Sequence, residues 1–106
     1  MDLRLKLADL DVGGVYWILG YQPFKGDYGD TYIIKCKAAH NDEIFTMFAT
    51  KLIASYISQY NPIDKFTFVV KRNSKKDYIY AEIPGYYPKG EFTHNNYSDK
   101  WIYFNN

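Results

Sequence analysis

The chain has 106 residues, 13 of them Lys or Arg and 12 Asp or Glu, giving a formal net charge of +1 and a sequence pI near 7.8. That length supports one core in a single domain and leaves little for an elaborate catalytic cleft, while the 47% hydrophobic content excludes a disordered chain. The apolar runs are too short to cross a membrane, and the N-terminal MDLRLKLADLDVGG lacks the unbroken apolar segment of a secretory signal, so an intracellular protein, cytoplasmic or nuclear, is expected.

In chain order, residues 1–14 carry Leu3, Leu5, Leu7 and Leu10 and end at Val12-Gly13-Gly14, a short strand or lead-in. A long first strand is expected over about 15–24, where Tyr16, Ile18 and Gly20 alternate with Trp17, Leu19 and Tyr21. Gly20 marks a bend that lets one strand serve two halves of a curled sheet, and Pro23 falls near the end, where a missing amide donor is tolerated. Lys25-Gly26-Asp27-Tyr28-Gly29-Asp30 reads as a hairpin connection whose tip carries Lys25 and Tyr28. The second strand, about 31–38, sets Tyr32, Ile34 and Cys36 against Ile33, Lys35 and Lys37.

A polar turn at His40-Asn41-Asp42 leads to a third strand over about 43–49, with Phe45 and Met47 on one face. The period then changes. Leu52, Ile53, Tyr56, Ile57 and Tyr60 form an apolar stripe at helical spacing, with Thr50 as N-cap and Asn61-Pro62 as the stop. A fourth strand over about 65–71 places Phe66, Phe68 and Val70 on one face. The basic loop Arg72-Asn73-Ser74-Lys75-Lys76 joins it to a fifth over about 77–83, where Ile79, Ala81 and Ile83 oppose Tyr78, Tyr80 and Glu82. After Pro84-Gly85 the periodicity is lost. Residues 84–106 are an aromatic tail, either docked on the core through Trp101, Ile102 and Phe104 or held as an interaction arm.

Three strands, a short helix and two more strands are the element order of a five-stranded Greek-key barrel of the OB-fold type, an all-β class with one helix. The segment VGGVYWILGYQPFKGDYGDTYIIKCK also resembles the opening of single-stranded-DNA-binding OB domains, small viral ones included. Gly13, Tyr16, Ile18, Tyr28, Gly29, Tyr32 and Ile34 carry the likeness, which extends over about residues 12–83. The resemblance implies a ligand groove across the second and third strands, between the first hairpin loop and the loop joining the fourth and fifth strands. Lys25 and Tyr28 would stand on one wall and Lys75 and Lys76 on the other, with Ile33, Lys35 and Lys37 as floor.

Single-strand binding needs cations that track phosphates and rings on which bases stack. Residues 31–76 hold eight basic against three acidic residues, net +5, including Lys71 and Arg72. Aromatic residues make up 20% of the chain, more than a core of this size can bury. Alternation turns Trp17, Tyr21, Tyr78 and Tyr80 outward, and with Tyr28 they are the candidate stacking rings. Tyr is also a good strand former, and cross-strand aromatic pairs stabilise sheets without any ligand.

Cys36, the single cysteine, sits in an alternating strand and reads as a buried structural thiol. His40 and His94 look like loop residues, no spacing suits zinc, and Asp27 and Asp30 are explained by turn chemistry. No phosphate-cradling loop, nucleophile elbow or acid/base pair is found, so neither catalysis nor a cofactor is expected. Two functions remain: single-stranded nucleic-acid binding, DNA favoured over RNA, with little sequence preference; or a protein-interaction domain whose aromatic surface and tail dock on a partner or a second copy.

Overall fold

One long, bent strand holds the sheet together. In the computed structural model, which describes residues 3–26, 29–88 and 100–105, β2 spans Val15–Gly26 and pairs antiparallel with β3 (Gly29–Ala38) along its whole length. The register runs Ile18↔Cys36 and then Gly20↔Lys35, so Leu19 is an extra residue without a partner on β3. Such a bulge sharpens the local twist and bends the strand. The bend expected near Gly20 is present, and it divides the other edge of β2 between two partners.

The first half, Val15 to Ile18, pairs with β5 (Phe66–Asn73), which turns into β6 (Tyr78–Glu82). The second half, at Gly20 and Tyr21, pairs with the short C-terminal strand β7 (Ile102–Tyr103). On the far side β3 pairs with β4 (Ile44–Phe48), and β4 pairs in parallel with β1 (Leu3–Arg4). The result is a mostly β chain with one short helix and a curled, open half-barrel sheet in the order β1-β4-β3-β2-β5-β6. Five strands were expected, with a short strand or lead-in before them. The two further strands come from the chain termini: β1 lies within that lead-in, and β7 lies in the tail, where the sequence shows no periodicity.

Among the described residues β4 and β6 do not pair with each other. The N-terminal segment runs between them instead. Leu5 donates its amide to the Thr46 carbonyl at 2.9 Å, and the 3-10 turn that follows, Leu7–Asp9, packs against β6. Leu10 completes the passage as a buried core residue.

The helix α1, Lys51–Tyr60, forms as its stripe requires, burying Ile53, Ala54 and Ile57. Thr50 Oγ1 accepts the Ile53 amide at 3.3 Å, and Asn61 ends the helix in the left-handed region with φ 44°, its amide bonded to the Ile57 carbonyl. Inside the curl lie Tyr16, Ile18, Ile34, Cys36, Phe45, Met47, Phe68 and Val70. Tyr16 stacks on Phe68 with ring centroids 5.5 Å apart and meets Phe45 edge-on at 5.8 Å. Its hydroxyl accepts the Asp11 amide at 2.9 Å, so the buried polar tip is satisfied. No helix among the described residues is long and apolar enough to cross a membrane.

Candidate functional site

Because side chains alternate across a strand, the residues between the core positions of β2 to β5 build the outer face of the sheet. Register arranges them in rows. One row runs Ile44, Lys37, Trp17, Thr67 across β4, β3, β2 and β5. The next runs Arg4, Thr46, Lys35, Gly20, Tyr103 across β1, β4, β3, β2 and β7. Trp17 stands near the middle of the face and is 41% exposed. Lys37 lies directly across from it, within 3.6 Å of the Asp42 carboxylate.

The second row is built around a missing side chain. A Cβ on Gly20 would lie 2.6 Å from the Ile102 carbonyl oxygen and 2.9 Å from the Tyr103 ring, so only glycine lets β7 approach this closely. Lys35 reaches across the same position and holds its Nζ 5.6 Å from the Tyr103 ring centroid. Tyr103 in turn stacks with Trp101 at 6.2 Å and remains 57% exposed. At the other end, Arg4 Nε donates to Thr46 Oγ1 at 2.8 Å, while the guanidinium carbon sits 5.0 Å over the Phe48 ring.

Of the predicted site residues, Trp17, Lys35 and Lys37 are brought together on this face. Lys71, Tyr78 and Tyr80 also face outward on β5 and β6, with the Tyr78 and Tyr80 rings 5.8 Å apart and Lys71 3.5 Å from Glu82. Arg72 does not join them. It pairs with Asp77 at 3.1 Å beside the β5–β6 turn. Lys75 and Lys76 are exposed on that turn, where their amides are held by Asn73 Oδ1 at 3.0 and 3.2 Å. Lys25 is exposed near the other end of β2, and Tyr28 lies outside the described residues. Lys25 and the β5–β6 turn lie toward opposite ends of β2, because β5 runs antiparallel to it and continues past Val15 to Asn73.

Two expectations are corrected. Tyr21, placed among the outward stacking rings, points into the core at 8% exposure. The bulge at Leu19 reverses the parity, so Tyr21 falls opposite inward-facing Ile34 and packs against Tyr32 and Phe104 at 5.2 and 5.5 Å. Burial, with a smaller contribution from Tyr32, raises its pKa above the ordinary tyrosine value. Ile33, expected on the floor of a groove, shares the outer-face row of Gln22 and Phe48 but is itself buried. In the tail, where the sequence leaves docking and an interaction arm both open, Phe104 docks, whereas Ile102 is exposed and Trp101 is half-buried. Cys36 lies in the core, and burial pushes its thiol far up, keeping it protonated and unreactive.

Tyr103, Trp101 and Arg4 were not among the predicted site residues. The period-two pattern of Trp101-Ile102-Tyr103-Phe104 is the signal that placed Trp101 and Tyr103 on one face, but four residues are too few to stand out from an aromatic tail. Arg4 carries no local signal, since its position follows from a parallel pairing with β4. No known family model matches the chain, and no curated protein or solved structure matches it. Function is therefore argued from the chemistry of the surface.

Proposed function

We propose that this chain is a small OB-like barrel that binds single-stranded nucleic acid, DNA in preference to RNA, along the outer face of β2, β3 and β4. The observation that carries the reading is the exposed Trp17 ring with Lys37 beside it and Lys35 on the same face one row away. A base stacks on any aromatic face regardless of sequence, and lysines beside it meet the phosphates, which gives binding with little sequence preference. The carboxylate partners of Lys37 and Lys71 form solvent-exposed pairs worth at most about 1 kcal/mol each. A phosphate displaces them easily. In this reading β2, β3, β4, β5 and β6 correspond to the five strands of an OB barrel, with the N-terminal segment filling the gap between β4 and β6.

A second reading rests on the exposed Val15, Ile44 and Phe48 on the same face as Trp17, which suit a protein partner or another copy of the chain. The deciding experiment is fluorescence-anisotropy titration of a labelled dT oligomer at low and physiological salt, with duplex DNA as control. Saturable binding is expected, weakened by salt, preferring the single strand and reduced at least tenfold by Trp17→Ala. Absence of binding at low salt overturns the nucleic-acid reading in favour of the second.

A further inference from the structure

We infer that the two terminal strands complete the binding face, so that the nucleic acid runs across the strands from Arg4 to Tyr103, with Arg4 taking a phosphate and Tyr103 and Trp101 taking bases. This rests on the nucleic-acid reading of the outer face. Arg4, Thr46, Lys35 and Tyr103 belong to one row, with side-chain contacts at its two ends: Arg4 bonded to Thr46, and Lys35 over the Tyr103 ring, which stacks on Trp101. The row crosses five strands, four spacings of about 4.8 Å, or about 19 Å in all. At about 3.4 Å per stacked nucleotide that length suits roughly five to six nucleotides.

The ends of the row differ in chemistry. Arg4 has its Nε on Thr46 and its guanidinium carbon 5.0 Å over the Phe48 ring, two contacts that hold the fork on an exposed surface strand. A fixed, planar donor is suited to a phosphate. Tyr103 and Trp101 offer two roughly parallel rings, 21° apart in plane, on the edge of β2 beyond Lys35. Phe104 and Gly20 are positioning residues for these rings. Phe104 is anchored at 6% exposure between Tyr21 and Phe66, its amide bonded to the Leu19 carbonyl at 2.8 Å. Asn105 ties the same segment to Ile63 and Lys65 through backbone bonds of 2.8 and 2.9 Å.

The test is anisotropy titration of the full chain with labelled dT12 over a salt series, using Arg4→Gln and Tyr103→Ala, together with ultraviolet crosslinking of dT12 to the unaltered protein and mass-spectrometric mapping. Arg4→Gln is expected to weaken binding about fivefold and to lower the log-log salt slope by about 0.7, the signature of one lost phosphate contact on a single strand. Tyr103→Ala is expected to weaken binding about tenfold with an unchanged slope, as a stacking contact does. Crosslinks are expected in the peptide holding residues 101–103 as well as at Trp17. Wild-type affinity and slope in both variants, with crosslinks at Trp17 alone, overturn this inference and leave the proposed function standing. No binding by the unaltered protein overturns the proposed function itself.

Discussion

The two halves of β2 use the same alternating pattern for different ends. Before Leu19, Tyr16 and Ile18 point inward and Trp17 outward, and the strand is braced by β3 and β5. After it, Tyr21 points inward and Gly20 outward, and the bracing passes from β5 to the chain terminus. β3 runs along both halves, and one unpaired residue separates a half braced on its other edge by β5 from a half braced there by a two-residue strand that Phe104 and Asn105 anchor. The difference teaches that the first half belongs to the fold, whereas the second half depends on a tail that arrives from far along the sequence.

The largest effect is expected where the first half meets the core. Phe68 is fully buried and stacked on Tyr16, so Phe68→Ala is expected to cost about 3–5 kcal/mol, read as a lower urea midpoint with an unchanged slope. Gly20→Val strikes the second half. The added side chain collides with the Ile102 carbonyl and the Tyr103 ring, and a cost of about 1–3 kcal/mol is expected. Hydrogen exchange separates the two: the amides of Phe104 and Asn105 lose protection in Gly20→Val while those of Tyr16 to Ile18 keep theirs. Equal loss in both halves would make β2 one cooperative unit and end the distinction.

Alkaline titration sharpens the same contrast, since each half includes or faces one group whose pKa burial raises. Cys36 lies opposite Ile18 and Tyr21 opposite Ile34, and both have folded-state pKa values raised by burial. The folded state favours the neutral form of each, so the unfolded chain releases the proton first. Their contribution is fully present below the unfolded values, about 9 for the thiol and about 10 for the phenol, and is lost as pH rises from there through the higher folded values. Stability is thus expected to decline in two stages. Tyr21→Phe is expected to remove the stage that begins near pH 10 and leave the one that begins near pH 9, as followed by urea midpoints across the range.

The contrast also explains what was legible in the sequence. The five long strands, the helix with its Thr50 cap and the bend near Gly20 all leave period-two or period-3.6 signals that are read locally. Trp17, Lys35 and Lys37 were correctly faced because they lie on undisturbed alternation. Tyr21 was misplaced because an inserted residue reverses parity without changing composition, and Gly20 alone does not say on which side of it the extra residue falls. Arg4, Trp101 and Tyr103 owe their places to pairings over long sequence separations. Nothing near them in the chain specifies the partner.

The smallest effect on stability, and the one most telling about function, is expected at Trp17. Its ring is the larger of the two adjacent aromatics that precede Ile18 on β2, yet Trp17 projects from the outer face while Tyr16 is enclosed by Phe68, Phe45 and the Asp11 amide. An exposed side chain that fills no cavity contributes little to folding, so Trp17→Ala is expected to change stability by no more than about 0.5 kcal/mol. Tyr16→Ala, by the same reasoning, belongs with the core losses of about 3–5 kcal/mol. If Trp17→Ala instead lowers the urea midpoint as Tyr16→Ala does, the ring is a structural brace for Lys37 and Thr67, and its place as the central stacking platform falls. If the midpoint holds while binding of dT12 drops at least tenfold, Trp17 is held outward at the centre of the sheet for the ligand, and the stability of the fold is carried by the face beneath it.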